Sequence, residues 1–227
     1  MNLSHTSTPP ILLSPPHNNS TPPLLSKYVK PGIQFDALLH IYNLLQHKSD
    51  LNIYTDGSFL PHSSSQSMSV AWQLKDDPSI FFQSSFISPW PSSNRAELIA
   101  ITCALLSSSL SSTINIYTDS SIAISTYNYV LSNYLLLYPR ELFKIDNFLL
   151  WLILFDIISF NNLTLIFHKV LAHSKDPHNI KVDKLARLAH HKPSINFNET
   201  FIPYLNYLPL FNHIPIQRHL RHFLRLT

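Results

Sequence analysis

The sequence predicts an α/β domain whose core is a five-stranded mixed sheet, three antiparallel strands followed by parallel ones, flanked by helices. Two observations predict it. Short alternating apolar runs recur five times, the first three separated by turn-prone residues, and the stretches between the later runs carry apolar residues at helical spacing. That βββαβα(α)βα order links parallel strands through helices.

Residues 1–34 read as a disordered arm. Pro9, Pro10, Pro15, Pro16, Pro22 and Pro23 stand among Ser, Thr and Asn, a mixture that buries too little apolar surface to offset the entropy of ordering. Over 35–48, Phe35, Leu38, Leu39, Tyr42 and Leu45 recur at three and four and predict a short helix. The main domain is expected over 49–192. Its first strand, Leu51 to Thr55, is stopped by Asp56-Gly57, where one of only two glycines falls.

Strands around Met68–Leu74 and Ile80–Ile87 follow, divided by the turn-prone Lys75-Asp76-Asp77-Pro78. Asn94 is the expected N-cap of a helix reaching about Leu106, with Leu98, Ile101 and Leu105 on one face. Thr113–Thr118 alternates as a fourth strand, and Ser120 opens a helix. Thr126–Phe160 reads as one or two apolar helices joined near Tyr138-Pro139, because proline disfavours helix in the residue before it. A fifth strand, Leu163–Val170, precedes a helix from about Asn179 to His191, ended by Pro193. In the tail, 193–227, Arg218, Arg221 and Arg225 oppose Leu220, Phe223 and Leu224, the pattern of a short basic amphipathic helix.

Composition narrows the function classes. With 45% apolar and only 13% charged residues, against about 25% charged in an average protein, a substantial core forms and wholesale disorder is excluded. A net charge of +3 tolerates a polyanionic partner without specifying one. Cys103 is the sole cysteine, which rules out an internal disulfide and a Cys-based zinc site. The proline-punctuated start is no secretory signal, and the most apolar run, Phe148 to Phe155, falls far short of the roughly 18–20 residues of a membrane span. An intracellular monomer without membrane contact is expected.

Four acids stand at the ends of these elements: Asp56 after the first strand, Glu97 in the first turn of a helix, Asp119 after the fourth strand and Asp183 in the last helix. A carboxylate at a strand terminus is held by its backbone while its head stays open, as cation binding requires. Each has a plainer reading. Asp before Gly or Ser is common in turns, Glu97 suits a helix dipole, and Asp183 can pair with Arg187 at i+4.

With their neighbours, the segments Ile53-Tyr54-Thr55-Asp56-Gly57-Ser58, Asn94-Arg95-Ala96-Glu97-Leu98, Ile116-Tyr117-Thr118-Asp119-Ser120 and Ala172-His173-Ser174 through Asn179 to Asp183-Lys184-Leu185-Ala186 resemble the ribonuclease H family. The blocks occur in order, and the separations of 22 residues from Glu97 to Asp119 and 10 from His173 to Asp183 look like the family's. The resemblance spans about Leu51 to His191.

That resemblance implies a ribonuclease H-like fold and an endonuclease that hydrolyses the RNA strand of RNA–DNA hybrids. Asp56, Glu97, Asp119 and Asp183 would bind two Mg²⁺ ions, with Mn²⁺ as an alternative, about 4 Å apart across the scissile phosphate. Hard oxygen ligands favour such cations. His173 would be the loop histidine that moves protons or helps product leave. Asn94 and Asn179 match positions that touch the hybrid or hold the histidine loop, and Ser58 and Ser120 are candidates for phosphate or sugar contacts.

The chain departs from the family pattern at several points. Phe59-Leu60-Pro61-His62-Ser63-Ser64-Ser65 replaces a glycine-rich turn. Val130 to Phe155 carries only Arg140 and Lys144 where some relatives have a basic, aromatic substrate handle. Ala172-His173-Ser174 resembles retroelement members, which implies descent from a longer polyprotein containing a reverse transcriptase. The competing function is a decayed, domesticated nucleic-acid-binding module of the same fold. A related polynucleotidyl transferase or exonuclease fits the His173-to-Asp183 block less well.

Overall fold

The structure is a computed structural model that describes residues 22–61, 67–133, 139–171, 175–198 and 208–225. Helices α1 (Pro23–Tyr28) and α2 (Ile33–Leu45) lead into strands β1 (Asp50–Leu60), β2 (Ser67–Leu74) and β3 (Phe81–Phe86). Helix α3 (Ser93–Leu106), β4 (Thr113–Thr118), α4 (Ser121–Asn133), α5 (Pro139–Leu142), α6 (Phe148–Phe160) and β5 (Thr164–Lys169) follow. Then come α7 (Pro177–Leu188), a 3₁₀ turn (Ala189–His191), β6 (Ser194–Ile195), a hairpin of β7 (Leu210–Phe211) and β8 (Ile214–Pro215), and α8 (Leu220–Phe223).

The sheet runs β5-β4-β1-β2-β3-β6. β1, β2 and β3 are antiparallel, and β4 and β5 join parallel beyond β1. The expected α/β fold is therefore present, with one addition: β6 pairs parallel with β3 as a sixth strand, through Ser85–Ser194 and Phe86–Ile195. A two-residue strand carries no alternation to read, so the sequence pattern stops at five.

Alternation along β1 and β2 divides the molecule into two layers. Leu51, Ile53, Val70 and Trp72 face a large core with α3 and α6, whereas Tyr54 and Ala71 face a small cluster with Val170, Val182 and Ala186 under α7. Every residue of α3 from Arg95 to Leu106 is buried. The single apolar face read from Leu98, Ile101 and Leu105 is corrected accordingly: α3 lies between the sheet and α6, and its small residues Ala96, Ala100, Cys103 and Ala104 are as enclosed as its leucines.

One further expectation is corrected. Residues 22–34 are not an unstructured arm: α1 begins with Pro23 at its first position, where a missing N–H costs nothing, and buries Leu24, Leu25 and Tyr28 in the main core. Its hold is specific, since Tyr28 Oη and Lys27 Nζ both donate to Asp156 of α6, at 2.5 and 2.8 Å. The tail forms the β7–β8 hairpin followed by the short helix α8, whose Phe223 turns inward onto Trp90. Among the described residues the middle third holds three helices, α4, α5 and α6. Among the described residues no helix is long and apolar enough to cross a membrane.

Candidate active site

The tetrapeptide Ile-Tyr-Thr-Asp occurs twice, at 53–56 and 116–119. β1 and β4 place the two copies side by side in parallel register, Ile53 with Ile116 and Tyr54 with Tyr117. Identical neighbours follow: the tyrosine rings stack at 4.7 Å and 11°, and two residues on, Asp56 and Asp119 emerge next to each other. β4 ends at Thr118, whereas β1 continues to Leu60 against β2. Asp56 thus sits inside a strand, not at its end as expected, just past the point where β1 loses its parallel neighbour. Its backbone is fixed on one side and open on the other.

Glu97 enters from α3 through an unusually close approach. A Cβ on Gly57 would lie 2.3 Å from the Glu97 nitrogen and 2.4 Å from the Ala96 carbonyl carbon, so only glycine lets helix and strand touch. Gly57 is a contact residue within β1, not the turn residue its sequence context suggests.

The result is a group of three acids, Asp56, Glu97 and Asp119, with one oxygen of each within 4.8 Å of the others. Burial, then the charges of Asp183 and Asp119, push the Asp56 carboxyl up to about 7, against the opposing pull of Arg187 and the Gly57 N–H. Glu97 is raised well above the ordinary range by burial and by the charges of Asp56 and Asp119. Its Oε2 is buried without a hydrogen-bond partner among the described residues. Three converging carboxylates and an orphaned inward oxygen fit a hard divalent cation, which supplies the missing positive charge.

Asp183 stands apart from this trio. On α7 it accepts both arms of Arg187, Nε to Oδ1 and Nη2 to Oδ2 at 2.9 Å each, and its side chain is 39% exposed. It is near enough for its charge to raise Asp56. Of the two sequence readings of Asp183, the i+4 ion pair with Arg187 is present, and the converging trio does not include it.

The remaining candidates are placed less centrally. Asn94 is not the N-cap of α3; Ser92 is, its Oγ accepting from Arg95 N at 3.1 Å, because Pro91 starts the turn two residues earlier than the apolar pattern shows. Freed of that duty, Asn94 lines a cleft with Leu98, Ala123 and Asn147. Asn179 is buried in the first turn of α7, whose N-cap is Asp176. Ser120 Oγ accepts from Ala123 N at 3.2 Å and so caps α4. Ser58 Oγ is bonded to His190 Nε2 at 3.0 Å. His173 lies outside the described residues, as do Ala172, Ser174 and positions 62–65 of the altered turn.

Three features escape the sequence reading. Lys169, the last residue of β5, donates from Nζ to the Asp119 carbonyl oxygen, and its charge draws the Glu97 carboxyl down. His190 bridges Ser58 and Ser67, tying the 3₁₀ turn to the β1–β2 hairpin. The stacked rings of Tyr54, Tyr117 and His168 run across three strands. Only the last has a legible signal, the repeated tetrapeptide.

Residues 48–191 match the RNase H family. This chain belongs to the ribonuclease H family. The matched span holds the three converging acids, Asp183 and the whole sheet apart from β6. A search of curated proteins finds no match. Membership in the ribonuclease H family supports nuclease action on RNA–DNA hybrids, and the acid group is compatible with metal binding.

Proposed function

We propose that this chain is an endonuclease that hydrolyses the RNA strand of RNA–DNA hybrids with Mg²⁺ as its cofactor. The convergence of Asp56, Glu97 and Asp119 carries the reading. Repulsion among the three in so small a volume is a cost unless a cation offsets it. Two divalent ions, when bound, would supply the positive field that polarises a phosphodiester and activates water.

The residues themselves divide the remaining work. Asp56 and Asp119, fixed by parallel strands, would hold the cations. Glu97, immobilised by the contact of its helix with Gly57, offers Oε2 from within the protein. Asp183 joins as a fourth carboxylate by leaving Arg187. His173, ten residues before Asp183, would carry protons to or from the departing group, for which an imidazole is suited near neutral pH. We assign the catalytic unit to residues 49–192 and its origin to a retroelement, on the Ala172-His173-Ser174 block.

The test is cleavage of a labelled RNA–DNA hybrid in Mg²⁺, with duplex DNA alongside. The expected result is Mg²⁺-dependent cutting of the RNA strand alone, abolished by Asp56→Asn. Equal cutting by the Asp56→Asn protein would overturn the assignment. The Asp183–Arg187 ion pair favours one second reading, a decayed module that binds hybrids without turnover. Tight binding with no cleavage in Mg²⁺ or Mn²⁺ would identify it.

A further inference from the structure

Segment 208–225 lies beyond the matched family span, yet it is docked against the main domain by several independent contacts. Asn147 N donates to Gln217 O at 2.7 Å, Leu220 N to Phe143 O at 3.1 Å, and the Trp90 indole to Pro215 O at 2.6 Å. Phe223 is buried, edge-on to Trp90 at 5.6 Å. His219 N donates to Asp146 Oδ1 at 2.7 Å, which occupies that carboxylate oxygen.

This docking brings His219 into the wall of a cleft of about 470 Å³ lined by α3 and α4. Asn94 and Leu98 line the cleft on either side of Glu97 in α3, and Ile122, Ala123, Ser125, Thr126 and Tyr129 line it along α4, which begins two residues after Asp119. At 1.5 Å per residue, that stretch of α4 measures roughly 10 Å, a path long enough to follow a nucleic-acid strand for more than one phosphate. Lys144, Asn147 and His219 also belong to the cleft lining.

The tail also holds the chain's charge imbalance. The protein has 16 Lys and Arg against 13 Asp and Glu; setting aside Arg218, Arg221 and Arg225 leaves 13 against 13. Residues 208–225 contain no acid, and all three arginines are exposed with no carboxylate partner among the described residues. Exposed guanidinium groups on the docked segment that supplies His219 to the cleft wall suit a phosphate backbone, through charge and fork geometry.

We infer that the docked tail, through Arg218, Arg221 and Arg225, is a nucleic-acid grip that holds the backbone of the RNA–DNA hybrid as it leaves the acid site along the α3–α4 cleft. The inference rests on the proposed hybrid substrate. It explains how the chain compensates for a middle region, Val130 to Phe155, that has only Arg140 and Lys144 as basic residues.

The experiment measures binding of a fluorescein-labelled hybrid by anisotropy, in EDTA so that nothing is cut, across about 50–200 mM salt. The full chain is compared with its R218Q/R221Q/R225Q form and with the corresponding triple lysine form. The glutamine form is expected to bind roughly ten- to a hundredfold more weakly at low salt, with a log–log salt slope shallower by about two to three, near 0.9 for each phosphate no longer neutralised. The lysine form is expected to restore most of both, since it keeps the charges; a purely packing role of the arginines predicts no such rescue. Unchanged affinity and slope in the glutamine form, or no hybrid binding by the parent chain, overturns the grip. Cleavage by the parent in Mg²⁺ is scored separately: arginine-dependent binding without cleavage refutes the catalytic reading and leaves the grip, and the converse refutes the grip alone.

Discussion

Helices α3 and α7 both pack on β1 and β2, and both bring an acid to the site, yet they treat it in opposite ways. α3 is buried from Arg95 to Leu106, and its Glu97 has an oxygen with no partner among the described residues. α7 buries Asn179, Val182 and Ala186, and its Asp183 lies at the surface, held by Arg187. One acid cannot move; the other is held by a neighbour that can let go. The contrast shows how a charged centre can be built without unfolding the protein that holds it: the immovable acid sits where packing supplies the stability, and the adjustable one sits where solvent and an arginine moderate the repulsion.

The largest effect is expected where α3 meets β1 and fixes Glu97. Gly57→Ala forces a methyl group into the backbone of Ala96 and Glu97, and backbone there has no rotamer to yield. We expect a loss of about 3 kcal/mol or more, read by urea unfolding. A change below about 1 kcal/mol would mean that α3 rides more loosely on β1 than the geometry requires.

Next in size is Asp56→Asn in the metal-free protein. It removes a buried charge that Asp119, Glu97 and Asp183 oppose, so stability rises, by about 2 kcal/mol at pH 8, while cleavage is lost. Thermal melting in EDTA measures the first effect.

The pH dependence follows from the same carboxyl. Its folded value of about 7 exceeds the unfolded value of 3.8, so the folded state holds the proton more tightly between them. That contribution is complete below about pH 4 and is lost as pH rises through 7. The metal-free protein should therefore melt lower at pH 8 than at pH 5.5, Mg²⁺ should raise the melting point more at pH 8, and Asp56→Asn should flatten both trends.

The smallest effect tests the adjustable side. Arg187→Gln breaks an exposed i+4 ion pair worth at most about 0.5 kcal/mol, so the melting point should barely move. Mg²⁺ affinity, followed by calorimetry, should increase severalfold if Asp183 must leave Arg187 to bind metal. An unchanged affinity would confine Asp183 to its ion pair.

Legibility in the sequence depends on whether a signal lies along the chain or across it. β4 is legible to the residue because six alternating positions sit between a turn and a helix. Asp56, Glu97 and Asp119 are legible because each stands in a sequence block that resembles the ribonuclease H family. Gly57 is visible but misleading, since its role is set by Ala96, some forty residues away, and a close approach between elements leaves no local pattern. The cap of α3 moves to Ser92 because Asn and Ser both satisfy the N-terminal rule, and only the fold chooses. Lys169, His190 and the hold of Lys27 and Tyr28 on Asp156 are pairings over long sequence distances, which composition and periodicity do not encode.

The seam beside β3 also sets the order of events as the chain is made. Val29 bridges to Phe197 in antiparallel fashion, Lys30 N donates to Asn196 O at 2.9 Å and Asn198 N to Tyr28 O at 2.8 Å. A nascent chain emerging N-terminus first exposes α1 long before residues 194–198 exist to pair with it. Tyr28 can meet Asp156 of α6 before then, but the backbone pairing of Val29 and Lys30 waits for 196–198. Closing so distant a pair costs loop entropy before any contact repays it, which makes this seam a late and slow step in folding and its delay the moment of greatest exposure to aggregation.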